Sequence, residues 1–238
     1  MSKNTVLITG AGKRIGLHLA QQFIAQGDDV IVHYHQQAEA TLALEKQGVL
    51  CIHADFCDTA SVQKLIEKIH GSTTKLRAII HNASAFEKTA EQLPQALQQF
   101  EQFFRVHMLA SYQISTALVP LLQASDTEHS DIVQISDIYA DNPNPLFDLY
   151  CASKAGAQNL ALSLAKRYAP KIKVNIVQPG PILFKEWHSA AVKQQVLDET
   201  LLKKEGGADA ISLAVMAILN NPYQTGSVIA VDGGRRLT

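Results

Sequence analysis

Short apolar runs alternate with helical stretches along this chain. Val6-Leu7-Ile8, Val30-Ile31-Val32 and residues 49–53, 76–81, 131–135, 173–177 and 227–231 are compact and largely apolar, so each predicts a buried strand. Between them apolar positions recur at helical spacing. In residues 16–26 they are Leu17, Ala20, Phe23 and Ile24, on one face, and helical stretches follow at 38–47, 60–70, 92–104, 105–122, 150–168 and 209–219. Strands apolar throughout and separated by helices predict a parallel sheet covered on both faces. No linker, repeat or low-complexity tract interrupts the alternation, so residues 1–238 read as one α/β domain. Residues 179–207, opening with Pro179-Gly180-Pro181, are the least regular; a loop plus helix after a late strand is a candidate lid.

Composition narrows the function classes. Hydrophobic residues at 47% and charged ones at 18% suit a well-buried core. A net charge of −1 offers no attraction to nucleic acid or an anionic membrane, and neither partner is expected. The chain shows neither a basic-then-apolar leader nor an apolar run near the ~18 residues of a membrane span. Cys51, Cys57 and Cys151 are odd in number without Cys-x2-Cys spacing, which predicts free thiols in a reduced, cytoplasmic setting. His33 and His35, the closest histidine pair, lack the further ligands a metal site needs, so no metal is expected.

The candidate chemistry lies at the ends of strands. Thr9-Gly10-Ala11-Gly12-Lys13-Arg14-Ile15-Gly16 joins the first strand to the first helix, and glycines there let backbone N–H groups approach a pyrophosphate. About 20 residues on, a fold that prefers NAD places an acid against the ribose. His33-Tyr34-His35-Gln36-Gln37 contains none, whereas Lys13, Arg14 and His35 offer positive charge or hydrogen bonds to a 2′-phosphate, which points to NADPH. Asp55 and the run Asn82-Ala83-Ser84-Ala85-Phe86 follow the third and fourth strands. Locally, Asn82 also reads as a turn former and Phe86 as core packing. Lys154 follows Tyr150 by one helical turn, on the same face, and an ammonium there is expected to pull the phenol down from about 10. Asp137 stands 13 residues before Tyr150.

In order and spacing, these motifs, with Pro179-Gly180 and the closing Thr225-Gly226…Val231-Asp232-Gly233-Gly234, resemble the short-chain dehydrogenase/reductase family over essentially the full chain. The resemblance implies a single Rossmann-type doubly wound sheet of about seven parallel strands. Arg14-Ile15-Gly16, Asn82-Ala83-Ser84, Phe86 and Asp137 resemble the pteridine reductase branch, and within it residues 77–85 and Ile182-Leu183-Phe184 look most like bacterial dihydromonapterin reductases. It implies that Gly10, Gly12, Lys13, Arg14, Ile15, Gly16, His35, Asp55, Asn82, Ala83, Tyr150, Lys154, Pro179 and Gly180 hold NADPH. Asp137, Tyr150 and Lys154 would be catalytic, while Arg14, Ser84, Phe86, Asp137 and Tyr150 would contact a pterin substrate. His107 stands where the family often has a relay asparagine; a water-holding relay and a packed helix histidine both stay open. A homotetramer through 105–122 and 148–169 is implied. The expected reaction is reduction of a 7,8-dihydropterin, dihydromonapterin above dihydrofolate. The alternatives are a carbonyl or 3-oxoacyl thioester reductase and a non-catalytic dinucleotide sensor.

Overall fold

The computed structural model describes residues 4–186 and 188–238. Its strands are β1 (Thr5–Ile8), β2 (Asp29–Tyr34), β3 (Leu50–His53), β4 (Ala78–His81), β5 (Ser130–Ile135), β6 (Ile172–Pro179) and β7 (Val228–Val231). They form one seven-stranded sheet in the order β3-β2-β1-β4-β5-β6-β7, every pairing parallel. The order reverses between β1 and β4, and such a switch point opens a crevice at the carboxyl ends of the strands.

Strand side chains alternate between two apolar layers. Leu7, Ile31, Ile79 and Ile132 pack with Leu65 of α3 (Thr59–Ser72), Ile114 of α5 (Ala110–Ala117) and Leu164 of α7 (Asp148–Tyr168). Val6, Ile8, Val32, Ile80 and Val133 pack with Leu19 and Phe23 of α1 (Arg14–Ala25) and with Ile211 and Val215 of α9 (Ala208–Asn220). The first helix begins two residues earlier than its apolar pattern suggests, and Leu19 enters the core where Leu17 was expected; Leu17 is only partly buried.

The segment predicted as two helices meeting at 104/105 is continuous there. α4 (Leu93–Phe103) runs into a π-helical turn, Phe104–Leu109, and then into α5. The break comes later, at Leu118, before a short α6 (Val119–Gln123) with a proline in its first turn. Residues 179–207 contain α8 (Ala190–Asp198) and otherwise run as turns, residue 187 lying outside the described residues.

Candidate active site

The turn after β1 is held by the loop after β4. The Thr9 hydroxyl accepts the N–H groups of Asn82 and Ala83, both at 3.1 Å. The Asn82 amide donates to the carbonyls of Thr9 at 3.1 Å and Gly10 at 3.0 Å. Asn82 is therefore a clamp on the glycine turn and more than a turn former. Gly10 has φ +65°, and a Cβ there would lie 2.6 Å from the Ala83 Cα. A Cβ at Gly16 would lie 2.4 Å from the Gly10 carbonyl and 2.5 Å from the Asn82 amide nitrogen. Neither position has room for a side chain.

His33 braces the same turn from below. Its Nδ1 accepts the Gly10 N–H at 3.1 Å, its Nε2 donates to the Ala54 carbonyl at 3.0 Å, and its ring stacks on Phe56 at 4.1 Å. Burial pushes its pKa down to about 4, so near neutral pH it is an uncharged brace.

Above the turn, the first N–H groups of α1 have no side-chain cap and no acid in their turn, a setting that favours an anion. Lys13 is exposed beside them, and partly buried Ile15 packs against the apolar layer. His35 and Asp55 close the rim with Nε2 and Oδ1 3.9 Å apart, and Asp55 also accepts the Cys57 N–H at 2.8 Å. These donors and cations, with no acid at 33–37, fit a dinucleotide that carries a 2′-phosphate.

Arg14 makes a contact that the sequence did not signal. It takes φ +54°, and its guanidinium donates to the carbonyls of Leu183 and Phe184. The residue expected to span cofactor and substrate also ties the glycine turn to the candidate lid. Nearby, Gly180 follows Pro179 and donates its N–H to the Val231 carbonyl at 2.9 Å, anchoring the start of that segment.

Past β5, Asp137 caps a short 3-10 turn with Oδ1, accepting the Tyr139 N–H at 2.9 Å, while Oδ2 accepts the Tyr150 hydroxyl at 2.8 Å. One turn along α7, Lys154 is buried, donates to the Ile135 carbonyl at 3.1 Å and lies 5.7 Å from the Tyr150 ring centroid. The structure thus brings Asp137, Tyr150 and Lys154 together.

The electrostatics correct the expectation of a depressed phenol. Burial first, and Asp137 second, push Tyr150 well above its usual pKa, a hydrogen bond with Ser84 working the other way. Enclosure also raises the Asp137 carboxyl, against the pull of the Tyr139 N–H and Lys154. Lys154 is lowered by burial to about 8, Asp137 opposing. All three shifts favour the uncharged forms, as expected of groups taken out of water.

Ser84 is exposed at the mouth, and Phe86 joins an aromatic cluster with Phe103, Phe147 and Tyr150. Phe86 stacks on Phe147 at 4.7 Å and meets Tyr150 edge-on at 4.9 Å. The Lys185 ammonium lies 4.8 Å over the Phe86 ring and donates to the Phe86 carbonyl at 3.1 Å. A phenyl and an ammonium thus both lie close to the ring centre. Lys185 had no signal in the sequence, because only the fold carries residue 185 back onto residue 86. Arg235 is a second such residue. It pairs with Glu199 at 2.6 Å and lies 5.8 Å from the Tyr139 ring, beside the Asp137 turn.

His107, buried on the π-helical turn, is a packed histidine with three polar partners: Ser84, Ala85 and Ser153. Its carbonyl accepts the Ser111 hydroxyl at 2.9 Å. Among the described residues no group of three or more His, Cys, Asp or Glu could hold a metal ion.

Comparison with known proteins places this geometry. Residues 4–195 match the model of the short chain dehydrogenase family. A dihydromonapterin reductase of Klebsiella pneumoniae is 38% identical over 98% of this chain and 96% of its own. One from Citrobacter koseri is 37% identical, with both chains covered in full. Among solved structures, FolM alternative dihydrofolate reductase 1 from Brucella canis, complexed with NADP, superposes with a TM-score of 0.87 at 25% identity, covering 99% of this chain and 94% of that one. An apo SCOR enzyme from Clostridium thermocellum, at 24% identity and a TM-score of 0.86, shares the fold.

Proposed function

The chain belongs to the short chain dehydrogenase family, and we propose that it reduces the C=N bond of a 7,8-dihydropterin with NADPH. Dihydromonapterin is the preferred substrate and dihydrofolate a slower one. The relatives named dihydromonapterin reductase and the NADP complex of the FolM neighbour support this reading. The observation that carries it is the Asp137–Tyr150 pair, a carboxyl group 2.8 Å from a phenol inside an aromatic cluster. A carboxyl beside the phenol suits protonation of a ring nitrogen, whereas a neutral hydroxyl suits polarising a ketone.

Gly10, Gly12, Lys13, Arg14, Ile15 and Gly16 would hold the cofactor phosphates, with His35 and Asp55 on the adenosine side. Asn82, Ala83, Tyr150, Lys154, Pro179 and Gly180 would hold the nicotinamide end. NADPH supplies a hydride when bound there. Tyr150 would deliver the proton by turning its hydroxyl from Asp137 to the substrate. Asp137, its pKa raised by burial, would in its protonated form donate to the phenol oxygen and replace that proton. Lys154 keeps a positive charge beside the pair up to its pKa of about 8. Ser84 and Phe86 set the pterin plane, and stacking on Phe86 displaces the Lys185 ammonium from its ring. Residues 179–207 act as a lid on one domain, Arg14 being the contact through which closure reaches the cofactor turn.

The exposed stripe Leu93, Leu97, Phe100 and Phe104 supports a homotetramer built on the neighbouring 105–122 and 148–169 helices, and the free thiols support a cytoplasmic setting. NADPH oxidation with dihydromonapterin, dihydrobiopterin, dihydrofolate and an acetoacetyl thioester in parallel tests the function. Turnover of the thioester alone would replace pterin reduction with carbonyl reduction.

A further inference from the structure

His107 and the two serines beside it form a chain of hydrogen bonds in which a backbone N–H fixes the ring's tautomer. Nε2 accepts the Ala85 N–H at 3.1 Å, so that nitrogen carries no proton. The ring is 1% exposed, and burial holds its pKa well below the usual value, so it is neutral. Its one proton is then on Nδ1, which donates to the Ser153 hydroxyl at 2.8 Å. Ser153 in turn donates to the Tyr150 carbonyl at 2.7 Å. On the other side Nε2 lies 3.0 Å from the Ser84 hydroxyl, nearer than the Ala85 carbonyl at 3.3 Å, and shares its lone pair between that hydroxyl and the Ala85 N–H. The ring is further fixed by stacking on Phe103 at 5.6 Å and by the edge of Tyr150.

The π-helical turn is what aims this ring. An i→i+5 hydrogen bond, Ala110 N–H to the Arg105 carbonyl, replaces the usual spacing within Phe104–Leu109, and such turns recur at functional sites. The Ser111 hydroxyl reaches the carbonyls of His107 at 2.9 Å and Met108 at 3.0 Å, two acceptors of the irregular turn. No other histidine in the site is arranged this way. His33, under the cofactor turn, is also buried and neutral but carries the opposite tautomer, with Nδ1 accepting and Nε2 donating.

We propose that His107 is a positioning residue which, through its unprotonated Nε2, takes the Ser84 hydrogen and turns the Ser84 oxygen into an acceptor facing the substrate. A hydroxyl has one hydrogen, and without His107 it is left to the Ala85 carbonyl at 3.3 Å or to the Tyr150 phenol, the other groups that Ser84 reaches. Ser84 then meets a substrate N–H with its hydrogen pointing at the wrong partner. The role rests on the proposed binding of a pterin, whose rim presents N–H and amino donors, against Ser84.

Two substitutions separate the ends of the ring. His107→Gln places an amide oxygen near the Nε2 position, where it can still accept from Ala85 and Ser84, but loses Ser153. His107→Asn keeps a group near Nδ1 for Ser153 but loses Ala85 and Ser84. The expected result is a pterin KM raised about tenfold in the Asn variant, as for a lost hydrogen bond. The Gln variant should stay near wild type, and NADPH Kd should be unchanged in both. Histidine-labelled 15N NMR of the wild type, with the His107 signal assigned by its loss in either variant, should show Nδ1 protonated at His107 and Nε2 protonated at His33. Equal losses in both variants, or a proton on Nε2 of His107, would overturn the inference. A wild-type enzyme that turns over no dihydropterin defeats the proposed function instead, and the tautomer measurement still judges His107.

Discussion

Over β1 to β3, the carboxyl edge of the sheet is organised by backbone and by neutral side chains. Thr9, Asn82 and the uncharged His33 hold the glycine turn, and positive charge is left to Lys13 and Arg14 at the exposed rim. Over β5 and β6 the arrangement is inverted. Asp137, Tyr150 and Lys154, all ionisable, are packed against one another inside, each pushed toward its uncharged form. The contrast follows from what each half must handle. A bound anion is held by fixed N–H dipoles and surface cations that need not change state. A proton in transit needs groups whose two states lie close in free energy; burial brings the carboxyl nearer to that condition than water does, while it holds the phenol in its protonated, donating form.

That division can be broken most sharply at Tyr150. Tyr150→Phe keeps the ring in its aromatic cluster and removes only the hydroxyl, so reductase kcat should fall by about two to four orders of magnitude. NADPH Kd, measured by fluorescence titration, should stay within about threefold, a shift under ~1 kcal/mol. Comparable losses of both would mean that the two halves are not separable.

Asp137→Asn is next. The raised Asp137 carboxyl keeps its proton further up the pH scale than an ordinary one and loses it as pH rises, while Lys154 loses its charge through about 8. Both changes remove function in the same direction, so wild-type kcat/KM should be higher on the acid side and decline above neutrality. The variant should be slower by roughly tenfold to a hundredfold, and its profile should lose the limb contributed by Asp137. Superimposable profiles would reduce Asp137 to a cap on its 3-10 turn.

On the cofactor side the same comparison predicts a selectivity carried by surface charge. NADPH should be preferred to NADH by about tenfold to a hundredfold, as for one charge-assisted phosphate contact, and the preference should shrink with added salt because Lys13 and Arg14 are exposed. Equal efficiency with NADH would leave those groups without a phosphate partner.

The smallest expected effect is at the seam of the two halves. Phe86→Ala should raise the pterin KM by about tenfold, within the loss expected for a stacking partner, with NADPH Kd unmoved. Lys185→Met should lower it slightly, because substrate no longer displaces an ammonium from the ring. A Phe86→Ala protein with a collapsed Tm would show that Phe86 serves the aromatic cluster alone.

The alternation of apolar runs and helical stretches was enough to specify the seven strands, the layers on either side and the glycine turn, because burial periodicity and turn chemistry are local properties of the chain. The i, i+4 placement of Tyr150 and Lys154 was legible for the same reason, as was the absence of an acid at 33–37. What the chain alone could not state was the sign of the phenol's shift. A lysine one turn away predicts a lowered pKa, but burial in the folded protein outweighs it, and burial is a property of everything packed around the residue. Nor could it state that Arg14 and Lys185 meet the opposite wall of the cleft, or that His107 joins the Ser84 loop to the Tyr150 helix. Those contacts join residues between 22 and 170 positions apart in sequence, and only the order of the strands brings them together.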